Sequence, residues 1–265
     1  MISDRHMKDG GFTLFVPKGF VIDLDGTLYR GKDSIPGSAA FMEWLRLTHY
    51  PYLLATNCPS RTPEQIVKKL LGFQIRTNTE HIITSDILAA HYLCQKGYRR
   101  VFLVGEQAVR QALDAEGLTV TDEDPECVLV SWDRNFCYQT LNLALWHLHT
   151  GIPLFCTNPD RTIPHENTVI AHTAPICAAI ESASGRTAHY LGKPGFEMAE
   201  LAVSKLGIAA CELCVVGDNP DTDIAFADRN GMQSVLLSSE RYTLSSSRIS
   251  VKPGRIVRSL VELIS

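Results

Sequence analysis

Short apolar stretches alternate along the chain with longer amphipathic segments. The stretches are rich in aliphatic and β-branched residues, which is typical of strands that are buried on both faces. They lie at residues 20–22, 52–55, 101–104, 127–130, 214–216 and 234–237. The alternation predicts an α/β fold in which parallel strands are joined by helices. In such a fold the ligand site lies at the carboxyl ends of the strands.

The helix ends carry local signals. Thr62 is suited to cap a helix, Pro63 to occupy its first position and Gly72 to lie just past its end. Further helices are predicted to end at the left-handed glycines Gly97, Gly117, Gly151, Gly185, Gly207 and Gly231. The polar, serine-rich residues 239–253 predict an exposed loop before a final apolar segment at 256–264.

Composition and charge narrow the class of protein. At 265 residues, 45% hydrophobic and 20% charged, the chain has the make-up of a soluble globular protein of one large domain or two smaller ones. The net charge of −4 and the lack of a Lys/Arg cluster argue against a nucleic acid partner. Without a membrane-length apolar run or an apolar signal core at the N-terminus, no membrane contact and a cytoplasmic location are expected.

The eight cysteines are scattered, mostly within apolar runs, and we expect reduced, buried thiols. Cys211 and Cys214 form a lone CxxC without a second pair at zinc-finger spacing, so a metal or redox role is the less favoured interpretation.

Asp23 and Asp25 follow the first predicted strand in the run DLDGT. Because alternate residues of an extended chain point the same way, both carboxylates can address one ligand. One can act as a nucleophile while the other gives and takes protons, and Gly26 lets the backbone turn and approach a ligand closely. The alternative is that this strand-end Asp-Gly pair only forms a turn.

Polar residues also follow three other predicted strands. Thr56 and Asn57 offer a hydroxyl and an amide to phosphate oxygens, and Lys193 offers an ammonium that offsets carboxylate repulsion. Asp218 and Asp223 are five residues apart on a loop, which suits a hard cation such as Mg²⁺. Singly, each has another explanation, since Thr-Asn pairs start turns, most lysines are solvated, and aspartates cap helices.

Taken together, these residues form a cluster that needs cations. Two carboxylates about 4 Å apart repel each other by roughly 4 kcal/mol at an effective dielectric constant of 20, and a phosphate adds to this repulsion. A divalent metal and Lys193 supply the positive charge, which is also the requirement of phosphoryl transfer. The set therefore predicts a magnesium-dependent phosphatase.

In this order the four motifs resemble those of the haloacid dehalogenase superfamily of phosphatases, in the NagD-like branch that includes the para-nitrophenyl-phosphatase-like enzymes. The resemblance extends from about residue 19 to 237. It implies a Rossmann-like doubly wound parallel sheet with an inserted α/β cap domain. The catalytic core would comprise residues 1–78 and 192–265, and the cap residues 79–191.

The resemblance also implies roles in catalysis. Asp23 would form an aspartyl-phosphate, and Asp25 would protonate the leaving alcohol and then activate water. Thr56, Asn57 and Lys193 would hold the phosphate.

The same resemblance places Mg²⁺ between Asp23, the Asp25 carbonyl and Asp218. Asp223 would support the metal directly or through water. Two departures, Cys58 and Asn219, stand where many relatives have asparagine and arginine, and neither removes a chemical role.

The substrate-facing part of the cap is expected near Asn158, Asp160 and Arg161. His172 lies where relatives often carry a glycine-rich loop. It is expected either to contact the leaving group or, more commonly for a loop histidine, to be solvated.

The expected reaction is hydrolysis of a small phosphorylated metabolite such as a nucleotide monophosphate, a sugar phosphate or a phosphoglycolate-like molecule. The alternatives are a phosphotransferase or phosphomutase, and a non-catalytic, receiver-like phospho-acceptor. Asp25 favours hydrolysis, because a switch that keeps its aspartyl-phosphate needs no acid/base two residues from the nucleophile. The physiological substrate and a homo-oligomeric assembly are left open.

Overall fold

The structure is a computed structural model that describes residues 16–165, 168–238 and 251–264. Its strands are β1 (Gly19–Ile22), β2 (Tyr29–Arg30), β3 (Asp33–Ser34), β4 (Tyr52–Thr56), β5 (Ile82–Thr84), β6 (Arg100–Val104), β7 (Thr119–Val120), β8 (Cys127–Val130), β9 (Leu154–Cys156), β10 (Thr162–His165), β11 (Thr168–Ala171), β12 (His189–Tyr190), β13 (Leu213–Gly217), β14 (Gln233–Leu237) and β15 (Arg255–Val257). Its helices are α1 (Ser38–Leu47), α2 (Pro63–Gly72), α3 (Ser85–Gln95), α4 (Gln107–Ala115), α5 (Tyr138–His149), α6 (Thr173–Ser184), α7 (Phe196–Leu206) and α8 (Ala225–Arg229).

A six-stranded parallel sheet has the strand order β15-β14-β13-β1-β4-β5. Every residue of β1, β4 and β13 is buried, which explains the uninterrupted apolar sequences of these strands. Ile22 pairs with Leu54 on one side and Val216 on the other. The carboxyl ends of the three central strands therefore meet at one edge of the sheet, as the sequence pattern predicts.

A second parallel sheet has the order β12-β9-β8-β6-β7. The strands predicted at residues 101–104 and 127–130 lie next to each other in it. Two antiparallel hairpins, β2 with β3 and β10 with β11, complete the described strands. The α/β fold class is thus confirmed, with two parallel sheets in one chain.

Strand β5 falls within the residues predicted for the inserted domain but pairs with β4 in the six-stranded sheet. The first sheet consequently extends past residue 79. The division into a core and a cap stays a proposal, and this pairing moves its first boundary to the end of Thr84.

The two sheets share a hydrophobic cluster. Leu53 of the first sheet and Leu129 of the second belong to the same buried cluster as Leu93 of α3 and Met198 of α7. Helices α3 and α7 contact each other and contribute several residues to this cluster. Burial of apolar surface therefore links the two sheets directly.

The helix signals are confirmed with one exception. Thr62 and Gln65 form a capping box with Pro63 at the first position of α2. The other predicted terminal glycines all have φ between +65° and +97°. Gly72 is the exception, because it is the last residue of α2 and the left-handed conformation falls instead on Gln74, with φ of +63°.

All eight cysteines lie in the described ranges and are free. Four are fully buried, as expected, whereas Cys137 and Cys211 are exposed. None of the described helices combines the length and the apolarity that crossing a membrane requires. Most of the loop predicted at 239–253 lies outside the described residues.

Candidate active site

Asp23 is the first residue after β1, and its backbone N–H donates to the Val216 carbonyl at 2.9 Å. This bond extends the sheet pairing by one residue and fixes Asp23 at the edge where β1 and β13 end. The side chain is 9% exposed, and Thr27 Oγ1 lies 3.4 Å from Asp23 Oδ2. Burial raises the pKa of Asp23, and the charge of Lys193 opposes that rise.

Asp25 is exposed, unlike Asp23, and the Tyr29 hydroxyl donates to Asp25 Oδ2 at 3.1 Å. The Lys69 ammonium lies 3.5 Å from the centroid of the Tyr29 ring. Although the residue is accessible, desolvation by the surrounding protein raises the pKa of Asp25, and Lys69 and Tyr29 oppose the rise. A raised pKa with access to solvent suits a group that donates and accepts protons.

Gly26 connects the two aspartates to the rest of the loop. It has φ of +98°, and a Cβ at this position would collide with the Asp218 carboxylate. Only glycine combines this backbone conformation with so close an approach of Asp218.

Thr56 and Asn57 lie at the end of β4, where the sequence places them. Both are buried, and Thr56 Oγ1 accepts the backbone N–H of Cys58 at 3.0 Å. The Asn57 amide forms a reciprocal pair with Lys193, in which Oδ1 accepts the Lys193 N–H and Nδ2 donates to the Lys193 carbonyl, both at 2.8 Å. Asn57 therefore fixes the backbone of the lysine, a contact that the sequence did not predict.

Lys193 is 2% exposed and is bonded to two carboxylates. Its Nζ lies 2.6 Å from Asp23 Oδ1 and 2.7 Å from Asp223 Oδ1. Burial by itself would lower the pKa of Lys193, but the charges of Asp223 and Asp23 outweigh burial and raise it. The ammonium is therefore charged across the physiological pH range.

Asp223 lies in the helical turn Pro220–Ile224 and is 1% exposed. Its Oδ2 accepts the backbone N–H of Asn219 at 3.2 Å. Asp223 thus belongs to the site, and the turn is capped by Asn219, whose Oδ1 accepts the N–H of Asp221 at 3.0 Å. The alternative in which an aspartate caps this turn is wrong.

Asp218 is the first residue after β13 and is 9% exposed. Burial raises the pKa of Asp218 to about 7, with a further contribution from Asp223. Arg30, whose guanidinium is 4.0 Å from Asp218 Oδ2, opposes this rise.

Carboxylate oxygens of Asp23, Asp218 and Asp223 all lie within 4.8 Å of one another. Three carboxylates with one ammonium leave excess negative charge in a mostly buried space, and their oxygens are the hard ligands that Mg²⁺ prefers. The donor set therefore fits the predicted ion. The Asp25 carboxylate is not part of this group, and a role for the Asp25 backbone carbonyl in metal binding stays a prediction.

Three of the residues that are predicted to face the substrate differ in their burial and in their contacts. Asp160 is partly buried and its Oδ1 accepts from Asn57 Nδ2 at 3.3 Å, so it reaches the residues that follow β4. Arg161 is exposed. Asn158 is fully buried, and its Nδ2 donates to the Asn57 carbonyl at 3.0 Å. Asn158 is therefore a contact between the two sheets rather than a surface that a substrate meets.

His172 is also fully buried, so the expectation of a solvated histidine is wrong. Its Nδ1 lies 3.2 Å from Asn158 Oδ1, and its ring centroid is 5.5 Å from that of Trp132. Burial lowers the pKa of His172 to about 4, so the ring is neutral. A buried ring does not support contact with a leaving group.

Sequence reasoning missed further polar residues beside the site, notably Ser85, Asp86 and Ser131. All three are buried and follow the ends of β5 and β8. The signal was the one that identified Asp23, a polar residue directly after an apolar strand. However, residues 82–84 are not among the predicted strands, and residues 127–130 lie within the predicted cap.

Comparison with known proteins defines the class that this fold and site represent. Residues 20–119 match the family model of haloacid dehalogenase-like hydrolases, and residues 190–263 match a second model of HAD-hydrolase-like proteins. The chain is 33% identical over 221 residues to the 5'-nucleotidase YutF of Bacillus subtilis (strain 168), which covers 83% of this chain and 86% of the relative.

Two solved structures share the fold. NagD from Escherichia coli K-12 matches with a TM-score of 0.87 and 28% identity over 93% of this chain and 98% of its own. A p-nitrophenyl phosphatase from Archaeoglobus fulgidus matches with a TM-score of 0.89 and 26% identity over 94% of this chain and 98% of its own.

The chain belongs to the haloacid dehalogenase-like hydrolase family. Within that family it lies on the NagD-like branch of phosphatases, as the motifs in its sequence predict.

Proposed function

We propose that the protein is a magnesium-dependent phosphomonoester hydrolase that works through an aspartyl-phosphate on Asp23. The observation that carries the proposal is the position of the Asp23 carboxylate, which lies beside Lys193 and within 4.8 Å of the oxygens of Asp218 and Asp223. This arrangement places a nucleophile next to positive charge and a cation-binding group of acids, while Asp25 remains accessible.

In the first half of the reaction, an Asp23 carboxylate oxygen attacks the phosphorus and the bond to the leaving oxygen breaks. Protonated Asp25 gives its proton to the leaving oxygen, so that an alcohol departs. Lys193, with Thr56 and Asn57 beside it, holds the phosphoryl oxygens. A Mg²⁺ ion held by Asp23, Asp218, Asp223 and the Asp25 carbonyl would neutralise charge that develops on the phosphoryl group.

In the second half, the Asp25 carboxylate takes a proton from water, and the water oxygen attacks the phosphorus of the aspartyl-phosphate. The bond between phosphorus and the Asp23 oxygen breaks, and inorganic phosphate leaves. Asp25 is protonated again and Asp23 is restored. This use of one carboxyl group in both halves favours hydrolysis over a stable phospho-acceptor.

The site supports the reaction type more directly than it supports a class of substrate. The chain's relatives include a protein named as a 5'-nucleotidase and one named as a p-nitrophenyl phosphatase. We propose a small phosphorylated metabolite, such as a nucleotide monophosphate, a sugar phosphate or a phosphoglycolate-like molecule. Transfer of the phosphoryl group to another molecule is the alternative reaction. A cytoplasmic location and the absence of nucleic acid and membrane contacts stay predictions, and a homo-oligomeric assembly stays open.

The test measures phosphate release from para-nitrophenyl phosphate with and without Mg²⁺, in the presence and absence of added sugar acceptors. We expect Mg²⁺-dependent release to water, and Asp23→Asn should reduce kcat by at least 10³-fold because a neutral amide is a poor nucleophile. Asp221→Asn is the matched control, since Asp221 is exposed and outside the acidic cluster. Transfer to the sugar, or equal losses in the two variants, would contradict the assignment.

A further inference from the structure

Six polar side chains that the proposed chemistry does not use lie buried where the two sheets meet. We call them the buried polar chain, and none is more than 2% exposed. They are Ser85, Asp86, Ser131, Thr157, Asn158 and Thr173. Five of them follow the carboxyl ends of β5, β8 and β9 within two residues. Burying a polar group without a hydrogen bond is unfavourable, so the bonds made by these residues determine their role.

One end of the buried polar chain meets the Asn57 carbonyl oxygen. Ser85 Oγ donates to this oxygen at 2.8 Å, and Asn158 Nδ2 donates to it at 3.0 Å. Asn57 in turn holds the backbone N–H and carbonyl of Lys193 through its amide. Ser85 and Asn158 are therefore each connected to the Lys193 backbone through two successive hydrogen bonds, with Asn57 between them.

The other end runs away from the site. Asn158 Nδ2 lies 3.2 Å from Thr157 Oγ1, Thr157 Oγ1 donates to Ser131 Oγ at 3.3 Å, and Ser131 Oγ donates to Asp86 Oδ1 at 2.9 Å. Burial raises the pKa of Asp86 well above its usual value, with the Ser131 bond opposing. Asp86 Oδ1 thus accepts the last bond of the chain at a buried position.

An apolar contact would join two sheets without desolvating so many polar groups. A network of buried hydrogen bonds, in contrast, fixes one arrangement of its members. Of the Asp86 carboxyl, Oδ1 takes part in this network, whereas Oδ2 has no hydrogen-bond partner among the described residues. The group here that needs a fixed position is Lys193, whose Nζ must meet two carboxylates at 2.6 and 2.7 Å. A displacement of about 1 Å in such a group can reduce a rate by about 10²-fold.

We propose that Ser85 and Asn158 are positioning residues for Lys193, acting through the two bonds they donate to Asn57. The second sheet, through Asn158, thereby helps to place the ammonium that holds the phosphate. This inference rests on the proposed function, because it takes Lys193 to act on the phosphoryl group.

Asn158→Ala is the obvious variant, but it removes several buried bonds at once and can prevent folding. The sharper test compares Ser85→Ala with Ser131→Ala, which are the same substitution at two fully buried serines. Ser85 Oγ bonds the Asn57 carbonyl, whereas the side-chain bonds that Ser131 Oγ makes within the described residues go to Asp86 and Thr157. With para-nitrophenyl phosphate and saturating Mg²⁺, Ser85→Ala should lose about tenfold in kcat with KM within twofold, and Ser131→Ala should keep kcat within twofold.

Urea unfolding of both variants separates positioning from stability. Ser131→Ala leaves the Asp86 carboxyl without a partner, so it should be destabilised at least as much as Ser85→Ala. A kcat loss confined to Ser85→Ala then cannot come from stability. Equal kcat losses in both variants, or an unchanged kcat in Ser85→Ala, would overturn the inference.

Hydrogen exchange of the Lys193 amide gives a readout that does not depend on turnover. This N–H donates to Asn57 Oδ1 and is buried. Its exchange should be at least tenfold faster in Ser85→Ala than in the unmodified protein and in Ser131→Ala. The unmodified protein could fail to release phosphate while the Lys193 amide still exchanged faster in Ser85→Ala alone. The proposed function would then be wrong, but the coupling of the buried polar chain to Lys193 would be confirmed. An unchanged exchange rate in Ser85→Ala would refute that contact.

Discussion

Lys193 is the residue whose removal has the most predictable consequence for stability. The residue is 2% exposed, and its Nζ lies 2.6 Å from Asp23 Oδ1 and 2.7 Å from Asp223 Oδ1. At an effective dielectric constant of 20, each contact is worth roughly 6 kcal/mol of attraction before the desolvation of the charges is subtracted. Removing one partner of a buried ion pair typically costs about 3–5 kcal/mol, and we expect Lys193→Met to destabilise the metal-free protein by that amount.

The same change should alter the response to pH and to Mg²⁺. Without the ammonium, which lowers the pKa values of Asp23 and Asp218, these two pKa values rise further in the folded state. A folded-state pKa above the unfolded value adds stability at low pH that is lost as pH rises, so the variant should be most destabilised near pH 8 and least near pH 5. Mg²⁺ bound by Asp23, Asp218 and Asp223 replaces the missing charge, and it should stabilise the variant more than the unmodified protein.

Urea unfolding at both pH values, with EDTA or with Mg²⁺, measures these differences. Lys68→Met is the matched control, because Lys68 is exposed on α2 and should change the free energy of unfolding by less than about 0.5 kcal/mol. A loss below about 1 kcal/mol in Lys193→Met, or equal stabilisation of both proteins by Mg²⁺, would refute the charge balance described for the site.

Two further predictions concern the acidic group. Gly26→Ala should weaken Mg²⁺ activation at least tenfold, because its Cβ would collide with the Asp218 carboxylate. The control is Gly31→Ala, which also has a positive φ (+60°) but has no neighbour within 4 Å of the added Cβ, and it should leave activation unchanged. Equal effects of the two substitutions would count against the collision. The Mg²⁺ concentration for half-maximal activity should rise about tenfold per pH unit below 7 and level off above it, since Asp218, with a pKa of about 7 without the ion, must lose its proton to bind. A half-maximal concentration that does not change between pH 5.5 and 7 would contradict this competition.

Much of the site could be predicted because its residues share one local signal. Asp23, Thr56 and Asp218 each follow or end an apolar run, and parallel strands bring their carboxyl ends to one edge. Lys193 could be added because clustered carboxylates need positive charge. These inferences require only the strand pattern and Coulomb's law, not the path of the chain between the strands.

The wrong predictions arise where two local structures compete and contacts with distant residues decide between them, which the local sequence does not reveal. Gly72 looked like a helix end, but the Ile75 N–H bonds the Leu70 carbonyl at 3.0 Å and Ile75 is buried, so the left-handed turn falls on Gln74. Strand β5 is only three residues long and runs directly into α3, which hid its place in the first sheet. In both cases tertiary packing decided between two acceptable local structures.

The contacts that hold Lys193 could not be predicted, because they join distant parts of the chain. Asn57 bonds Lys193 across 136 residues, and Asn158 bonds Asn57 across 101. The sequence around each asparagine has no periodicity or charge pattern that indicates its partner. Asn158 was expected to face a substrate. Its burial shows that Asn158, which follows a strand of the second sheet, contacts Asn57 inside the protein.

This placement bears on how substrate choice and chemistry are related. If the second sheet only covered the site, changes in it would alter which substrates fit and leave Lys193 undisturbed. Here Asp160 and Asn158 both bond Asn57, the residue that fixes the lysine backbone. A substitution that repacks the region around Asn158 is therefore expected to affect kcat for every substrate, whereas one at exposed Arg161 should affect substrates unequally.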